Sequence, residues 1–389
     1  MKLKAILLTL ALATVSFAKP VARQSTSFVE VDGQSFTLDG QPYTVFGSNS
    51  YWVGLTGLTT DEMDVAFNDI ANAGGTTVRT WGFNEVTSAS SDYYQLWNGS
   101  TPTINYGSTG LGNFDNVVAA AKANNIRLIV TLTNNWSDYG GMDVYVNQIL
   151  GEGQPHDYFY SNPDVIAAFQ NYVKVWVERY VEEPTIFGWE LANEPRCTGS
   201  TSSTSGTCTT TTITDWVKTM SGYIKSLDSN HLVGLGDEGW FNLPNSTDFA
   251  CDGSQGIDFD ANLAIDTIDF GTFHLYPYSW GKETPSAMVW GQEWIENHCN
   301  SQATFNKPVL MEEFGVLADQ NQITTYENWY STVVDSRLSG VLIWQAGSNL
   351  TSGPTPNDGF TIYPDTPVYY LEERISAQLR ARDFERQFV

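Results

Sequence analysis

Two glutamates that end apolar runs carry the first chemical signal in this 389-residue chain. One closes the stretch Ile186-Phe187-Gly188-Trp189-Glu190-Leu191-Ala192-Asn193-Glu194-Pro195-Arg196, which reads as a buried strand that stops at Asn-Glu-Pro. The other follows the run Pro308 to Met311, in Glu312-Glu313-Phe314-Gly315. A carboxylate at a strand tip, next to a proline with a locked φ, is well placed for proton transfer. Two such carboxylates on either side of one glycosidic bond can divide the duties of acid and nucleophile. Alternation along a strand lets only one of Glu312 and Glu313 face a shared mouth.

Other chemistry-bearing residues also sit at the ends of apolar runs. They are Arg79 and Trp81 in Val78-Arg79-Thr80-Trp81, Trp136 after Asn134-Asn135, Glu238 and Trp240 in Asp237-Glu238-Gly239-Trp240, His274 and Tyr276 in His274-Leu275-Tyr276-Pro277, then Trp280 and Trp344. Trp52, after Gly47-Ser48-Asn49-Ser50-Tyr51, belongs to the same set. Trp52, Trp136, Trp240 and Trp280 are expected to line one cleft. Competing chemistries are poorly supported. Gly234 to Gly239 matches GxGxxG, but no helix opens there and Asp237-Glu238 would repel a pyrophosphate. Four histidines without HExxH, and no GxSxG, argue against a metal hydrolase or a serine esterase. No metal and no cofactor are expected. A sugar-binding barrel without catalysis would need neither Glu194 nor Glu313.

The elements that must position these groups alternate. Strands are expected at Tyr43–Gly47, Thr76–Trp81, Arg127–Leu132, Ile186–Glu194, Leu232–Gly236, Phe270–Tyr276, Pro308–Met311 and Gly340–Trp344. Helical spacing follows each, including a short helix at Ile265–Ile268. Short runs rich in Val, Ile and Leu suit parallel strands buried on both faces. The economical fold is a single (β/α)8 TIM barrel, with a hairpin from Phe28 to Leu38, turned at Asp32-Gly33, capping its bottom. An open doubly wound sheet is the alternative. In a barrel, active sites lie at the C-terminal ends of the strands, which is where the residues above fall.

Composition narrows the partner. A net charge of −25 disfavours nucleic acid and anionic membranes and suits a neutral substrate. Thirteen Trp, 19 Tyr and 20 Phe exceed what a core needs and suit stacking on sugar rings. Met1 to Ala18 reads as a signal peptide, residues 19–27 as a short disordered lead and 28–389 as the catalytic domain. The protein is therefore expected to be secreted. Export and four cysteines favour two disulfides, with three pairings open. Cys197–Cys208, pinning a Ser/Thr-rich loop, and Cys251–Cys299 are the favoured pair. Asn98, Asn135, Asn245 and Asn349 begin sequons, and Asn135 is expected to stay bare because it sits at the catalytic rim.

With these residues in place, the chain resembles glycoside hydrolase family 5. Asn193-Glu194-Pro195 and Glu313-Phe314-Gly315 look like that family's acid/base and nucleophile motifs. Arg79, Asn193, His274, Tyr276 and Trp344 match its other active-site positions. Val78-Arg79-Thr80-Trp81, Ala192 to Cys197 and His274-Leu275-Tyr276-Pro277 with Trp280 are similar to the fungal endo-β-1,4-mannanase subgroup. Asn134-Asn135 stands where many relatives carry a histidine. The resemblance implies a monomeric enzyme that cleaves internal β-1,4 bonds of mannan, glucomannan and galactomannan with retention. An exo-acting β-mannosidase or mannobiohydrolase and a β-1,4-glucanase are the alternatives. It also implies that Arg196 and Glu238 contact the leaving-group sugars. In such a site Glu194 is expected to hold a proton because an ionised Glu313 lies near, with Arg79 keeping Glu313 anionic. Tyr276 would donate to Glu313, Asn193 would bond the sugar 2-hydroxyl and Trp344 would floor the cleavage site.

Overall fold

The structure is a computed structural model that describes residues 26–386 except Ser90, Ser202 and Pro285. The expected signal peptide and residues 19–25 of the lead lie outside the described residues.

Eight parallel strands form the centre: β1 Val45–Asn49, β2 Thr77–Trp81, β3 Arg127–Thr131, β4 Ile186–Glu190, β5 Leu232–Gly234, β6 Gly271–Leu275, β7 Val309–Phe314 and β8 Gly340–Ile343. Every one of their residues is buried, as strands covered on both faces require. Hydrogen bonding runs in the order β5-β4-β3-β2-β1-β8-β7-β6. Hydrogen bonds also bridge the remaining seam. The Asp269 N–H donates to the Val233 carbonyl (2.8 Å), the Val233 N–H donates to the Asp269 carboxylate (2.7 Å) and the His274 N–H donates to the Glu238 carbonyl (3.3 Å). The sheet is thus a closed barrel.

Helices α1 Thr60–Asn72, α2 Leu111–Ala123, α3 Pro163–Tyr180, α4 Thr210–Leu227, α5 Phe259–Leu263, α6 Ala287–Phe305, α7 Gln322–Ser336 and α8 Pro367–Arg386 alternate with the strands. Their starts follow local chemistry. Thr59 and Glu62 form a reciprocal capping box on α1, and Asn162 caps α3 ahead of Pro163. The short helix expected at Ile265–Ile268 lies instead at Phe259–Leu263, because Asp258 caps it by accepting from the Ala261 N–H.

Two insertions are additions to the simple barrel. A small sheet of Glu85–Val86, Gln95–Asn98 and Thr101–Ile104 lies between β2 and α2. Helices Met142–Leu150 and Tyr158–Ser161 lie between β3 and α3.

At the N-terminal end, Glu30–Asp32, Ser35–Leu38 and Gln41–Pro42 make a three-stranded antiparallel sheet. It places the Phe36 ring edge-on against Phe187 (5.1 Å between centres) and Phe270 (6.1 Å). Together with Val45, Ile129, Leu232, Leu310 and Leu342, these rings form a separate apolar cluster. The larger core fills the space between strands and helices.

Cys197 and Cys208 are disulfide-bonded across the loop before α4. The second expected bridge is not formed. Cys299 lies on α6 with its thiol donating to the Ser336 carbonyl at the end of α7 (2.7 Å). Cys251 lies in the loop after β5, where its N–H donates to the Asp248 carbonyl. Both pack against the same large core, and sequence spacing could not reveal that they stay unbonded. Among the described residues, no helix is long and apolar enough to cross a membrane.

Candidate active site

Strand register delivers the polar groups to one end of the barrel. Past β4, the chain stays paired to both neighbours. The Asn193 N–H donates to the Thr133 carbonyl and the Glu194 N–H donates to the Gly236 carbonyl, each at 2.8 Å. Glu194 takes φ +48°, a left-handed conformation that a side chain rarely adopts without support from its surroundings. Gly236 (φ +85°) makes room, since a Cβ there would lie 2.2 Å from the Ala192 carbonyl oxygen. Glu194 is thereby turned into a cleft of about 920 Å³ that Glu313 enters from β7.

An oxygen of each carboxylate and the His274 Nδ1 all lie within 4.8 Å of one another. Glu194 Oε1 pairs with His274 Nδ1 (2.8 Å), and its Oε2 accepts from Trp136 Nε1 (2.6 Å). Glu313 Oε1 accepts from Arg79 Nη1, and Oε2 accepts from the Tyr276 hydroxyl (2.9 Å). Arg79 is fully buried. Its Nη2 donates to Asn193 Oδ1 (2.9 Å), its Nη1 to Asn49 Oδ1 (3.2 Å) and its Nε to Glu190 Oε2 (2.7 Å). One guanidinium thus fixes the strands that carry Glu194 and Glu313 relative to β1 and β2. The peptide between Trp344 and Gln345 is cis.

Glu312 takes the opposite face from Glu313. It is fully buried beneath the mouth, 3.4 Å from Arg79 Nε and 3.6 Å from His274 Nε2. Burial and the Glu190 charge push its carboxyl far up, against the pull of Arg79. Burial also opposes charge on Glu190, yet Arg79 holds that group below the usual range. Only Glu313 of the adjacent pair reaches the cleft.

Electrostatics overturn one expectation. Burial pushes the Glu194 carboxyl up, but the hydrogen bond and charge of His274, then Arg196 and Trp136, overcome this and hold it at about 2. Burial raises Glu313, with His274 and Arg79 pulling against it and Glu194 adding to the rise. Burial works against charge on His274, but Glu313, Glu194 and Glu312 raise it well above the ordinary value. Glu194 is thus held towards its anionic form and His274, one hydrogen bond away, towards its protonated form. Sequence reading weighed the two glutamates against each other and left out the imidazole between them.

The walls are aromatic. Tyr51 and Trp344 stack (5.6 Å, 10° between planes), and Trp81 tilts onto Trp344 at 5.9 Å. Across the cleft, the Arg196 guanidinium lies 4.3 Å from the Trp240 ring centre and 5.0 Å from that of Trp136. Arg196 Nε and Nη2 both donate to Glu238. Trp280 meets Trp240 edge-on at 5.7 Å and also lines the cleft. Trp52 does not line it. It is fully buried, and its Nε1 donates to the Ala346 carbonyl (3.3 Å). A single 3-10 turn, Tyr51–Gly54, puts Tyr51 at the mouth and Trp52 in the core. Tyr139, Phe249, Asp358 and Phe360 also line the cleft, and all come from loops without periodicity. Asp358 accepts from Trp344 Nε1 (2.7 Å) and Gln345 Nε2 (2.9 Å). Asn135 is fully buried, whereas Asn98, Asn245 and Asn349 are exposed.

A model of the family described as "GH family 5 beta-mannosidase-like" matches residues 26–341. The chain belongs to glycoside hydrolase family 5. It is 40% identical over 380 residues to mannan endo-1,4-beta-mannosidase A of Aspergillus aculeatus, covering 94% of this chain and 95% of that protein. With the probable mannan endo-1,4-beta-mannosidase F of Emericella nidulans it shares 42% over 352 residues, covering 89% and 77%. The crystal structure of an endo-1,4-beta-mannanase from Rhizomucor miehei superposes with a TM-score of 0.84 at 41% identity, covering 92% of this chain and 99% of that one. In this family 5 barrel, the two glutamates, Arg79 and the aromatic walls form one continuous site.

Proposed function

We propose that this enzyme is a secreted, retaining endo-β-1,4-mannanase that acts on mannan and its glucose- or galactose-containing forms. The observation that carries the reading is the approach of Glu194 and Glu313 to within 4.8 Å inside an aromatic-walled cleft. A retaining pair stands about 5–5.5 Å apart, and an inverting pair leaves roughly 6.5–9.5 Å for a water.

Glu313 is the nucleophile. Arg79 and Tyr276 hold its two oxygens, stabilise its charge and aim it at the anomeric carbon. As the bond to the leaving sugar breaks, the proton shared by His274 and Glu194 passes through Glu194 to the glycosidic oxygen. Glu194 then takes a proton from the water that hydrolyses the glycosyl-enzyme, which restores the starting state. Asn193, held by Arg79, offers its amide to the sugar 2-hydroxyl. Trp344 forms the floor, and the Arg196–Glu238 pair, backed by Trp240, meets the sugars on the leaving side. The relatives' names support mannan as the polymer, and a cleft walled on both sides by aromatics supports endo action. Residues 1–18 serve as the export signal, and the enzyme works as a monomer.

The reading is tested by product size early in hydrolysis of mannan, with carboxymethyl cellulose in parallel. A falling polymer length with mixed oligomers is expected. Mannose or mannobiose alone from the first minutes would make the enzyme exo-acting, and preferred cleavage of the cellulose derivative would replace mannan with glucan.

A further inference from the structure

His156 lies outside the catalytic cluster, in the insertion between β3 and α3, and is fully buried. Its Nδ1 lies 2.7 Å from Asp143 Oδ1, and its Nε2 lies 2.9 Å from Asn135 Oδ1. The orientation of the Asn135 amide is fixed by its other partners. Its Oδ1 also accepts from the Arg196 backbone N–H (3.1 Å), and its Nδ2 donates to the Thr198 carbonyl (3.0 Å). A flipped amide would set donor against donor and acceptor against acceptor. Nε2 must therefore donate. Nδ1 faces a carboxylate, which only accepts, so it donates too. Both ring nitrogens thus face acceptor oxygens, one of them the carboxylate of Asp143. Burial works against charge on Asp143, but the His156 bond and charge, with Thr201 donors, hold its carboxyl below the usual range.

The bridge joins three pieces of the rim. Asn135 precedes Trp136, which donates to Glu194 and flanks Arg196. Arg196 and Thr198 flank the Cys197 end of the disulfide loop. That loop closes over the imidazole. Thr201 donates to Asp143 through its backbone N–H (3.3 Å) and hydroxyl (3.1 Å), and the backbone N–H of His156 donates to the Ser203 carbonyl (2.9 Å). A Cβ on Gly199 would lie 2.4 Å from the His156 ring, so the loop fits only with glycine there.

We propose that His156 is a positioning residue for the leaving-group side of the cleft. As a double donor between Asp143 and Asn135, it fixes Trp136 and Arg196 where the departing sugars bind. The inference rests on the assignment of bond cleavage to Glu194 and Glu313, and it makes a separate demand on substrate length. Substrates with several sugars beyond the cleaved bond depend on His156. An aryl mannobioside depends on it far less, because its small, activated leaving group needs neither the clamp nor full proton donation.

The experiment compares mannohexaose with an aryl mannobioside in wild type, His156→Gln and Asp143→Asn. His231→Gln is the matched control. His231 is buried in the same way between Asp228 (2.6 Å) and the Glu183 carbonyl (3.0 Å), immediately before β5 and so at the opposite end of the barrel. For His156→Gln, kcat/KM on mannohexaose is expected to fall about tenfold or more, chiefly through KM, and on the aryl substrate less than about threefold. His231→Gln lowers thermal stability and leaves the ratio of the two substrates unchanged. Equal losses on both substrates in His156→Gln would overturn the inference and leave His156 a structural residue. A wild type inactive on both substrates would instead overturn the functional assignment. Nitrogen-15 spectra of the wild type provide a readout that needs no folded variant. With four histidines in the chain, the His156 ring should show two N–H groups under the conditions of mannan cleavage, and one bare ring nitrogen would refute the double-donor geometry.

Discussion

Glu194 and Glu313 were legible because carboxylates at the ends of apolar strands stand out; alternation allowed only one of Glu312 and Glu313 to face the mouth, and the resemblance to the family's Glu-Phe-Gly motif picked Glu313. Their charge states were not legible, since these depend on an imidazole brought in from β6. Glu194 should behave as an acid/base whose proton is drawn from the His274 contact. Glu194→Ala should lose roughly 10²–10⁴ in rate on mannan and much less on substrates with good leaving groups. Added azide should restore turnover as the β-mannosyl azide. Equal losses on both substrate types, without rescue, would remove Glu194 from that role. His274 is also the first influence opposing the rise that burial imposes on Glu313. In His274→Gln, Glu313 should therefore ionise at higher pH. The acid limb of kcat/KM, which requires an anionic Glu313, should move to higher pH. An unmoved limb would show that His274 does not set the nucleophile's charge.

The eight strands could be read from sequence because parallel strands buried on both faces are continuous apolar runs. The insertions between β2 and α2 and between β3 and α3 were missed, although Gln95–Asn98 and Thr101–Ile104 pair as a local hairpin whose Gly99-Ser100 turn was a usable signal. Tyr139, Phe249, Asp358 and Phe360 gave no such signal, because their loops lack periodicity. Trp52 was misplaced for a related reason: its type suits a sugar platform, but one 3-10 turn decides which of two adjacent aromatics faces the cleft. Helix α8 carries a further consequence. Burial alone raises the Glu372 carboxyl to about 8, whereas an unfolded glutamate titrates near ~4.3. Between these values the folded chain keeps a proton that the unfolded chain releases. The contribution is thus most favourable below about pH 4 and declines as pH rises towards 8, by at most roughly 1.4 kcal/mol per pH unit. Burial drives Glu85 and Asp237 to about 7 and Glu238 to about 8, all in the same direction. Unfolding curves should show Tm falling between pH 4 and 8. Glu372→Gln should recover roughly 1–3 kcal/mol at pH 8 and change little at pH 4. A variant as pH-sensitive as wild type would exclude Glu372 as a source of the decline.

At the scale of the whole molecule, the barrel sets two strand tips across one mouth, and the sequence supplies a carboxylate to each. The Cys197–Cys208 bridge secures the β4 rim, adding about 3 kcal/mol by chain-entropy reasoning, while Cys251 and Cys299 are not disulfide-bonded. A charge of −25 around a cleft lined by neutral rings suits an uncharged polymer. The central claim is that cleavage passes through a covalent intermediate on Glu313, formed across the gap from Glu194. Trapping with a 2-deoxy-2-fluoro-β-mannosyl fluoride, followed by intact-mass analysis and peptide mapping, tests it most directly. One added sugar per chain, located on Glu313 and formed as activity is lost, is the expected result. Label on Glu312, or inactivation with no added mass, would contradict it.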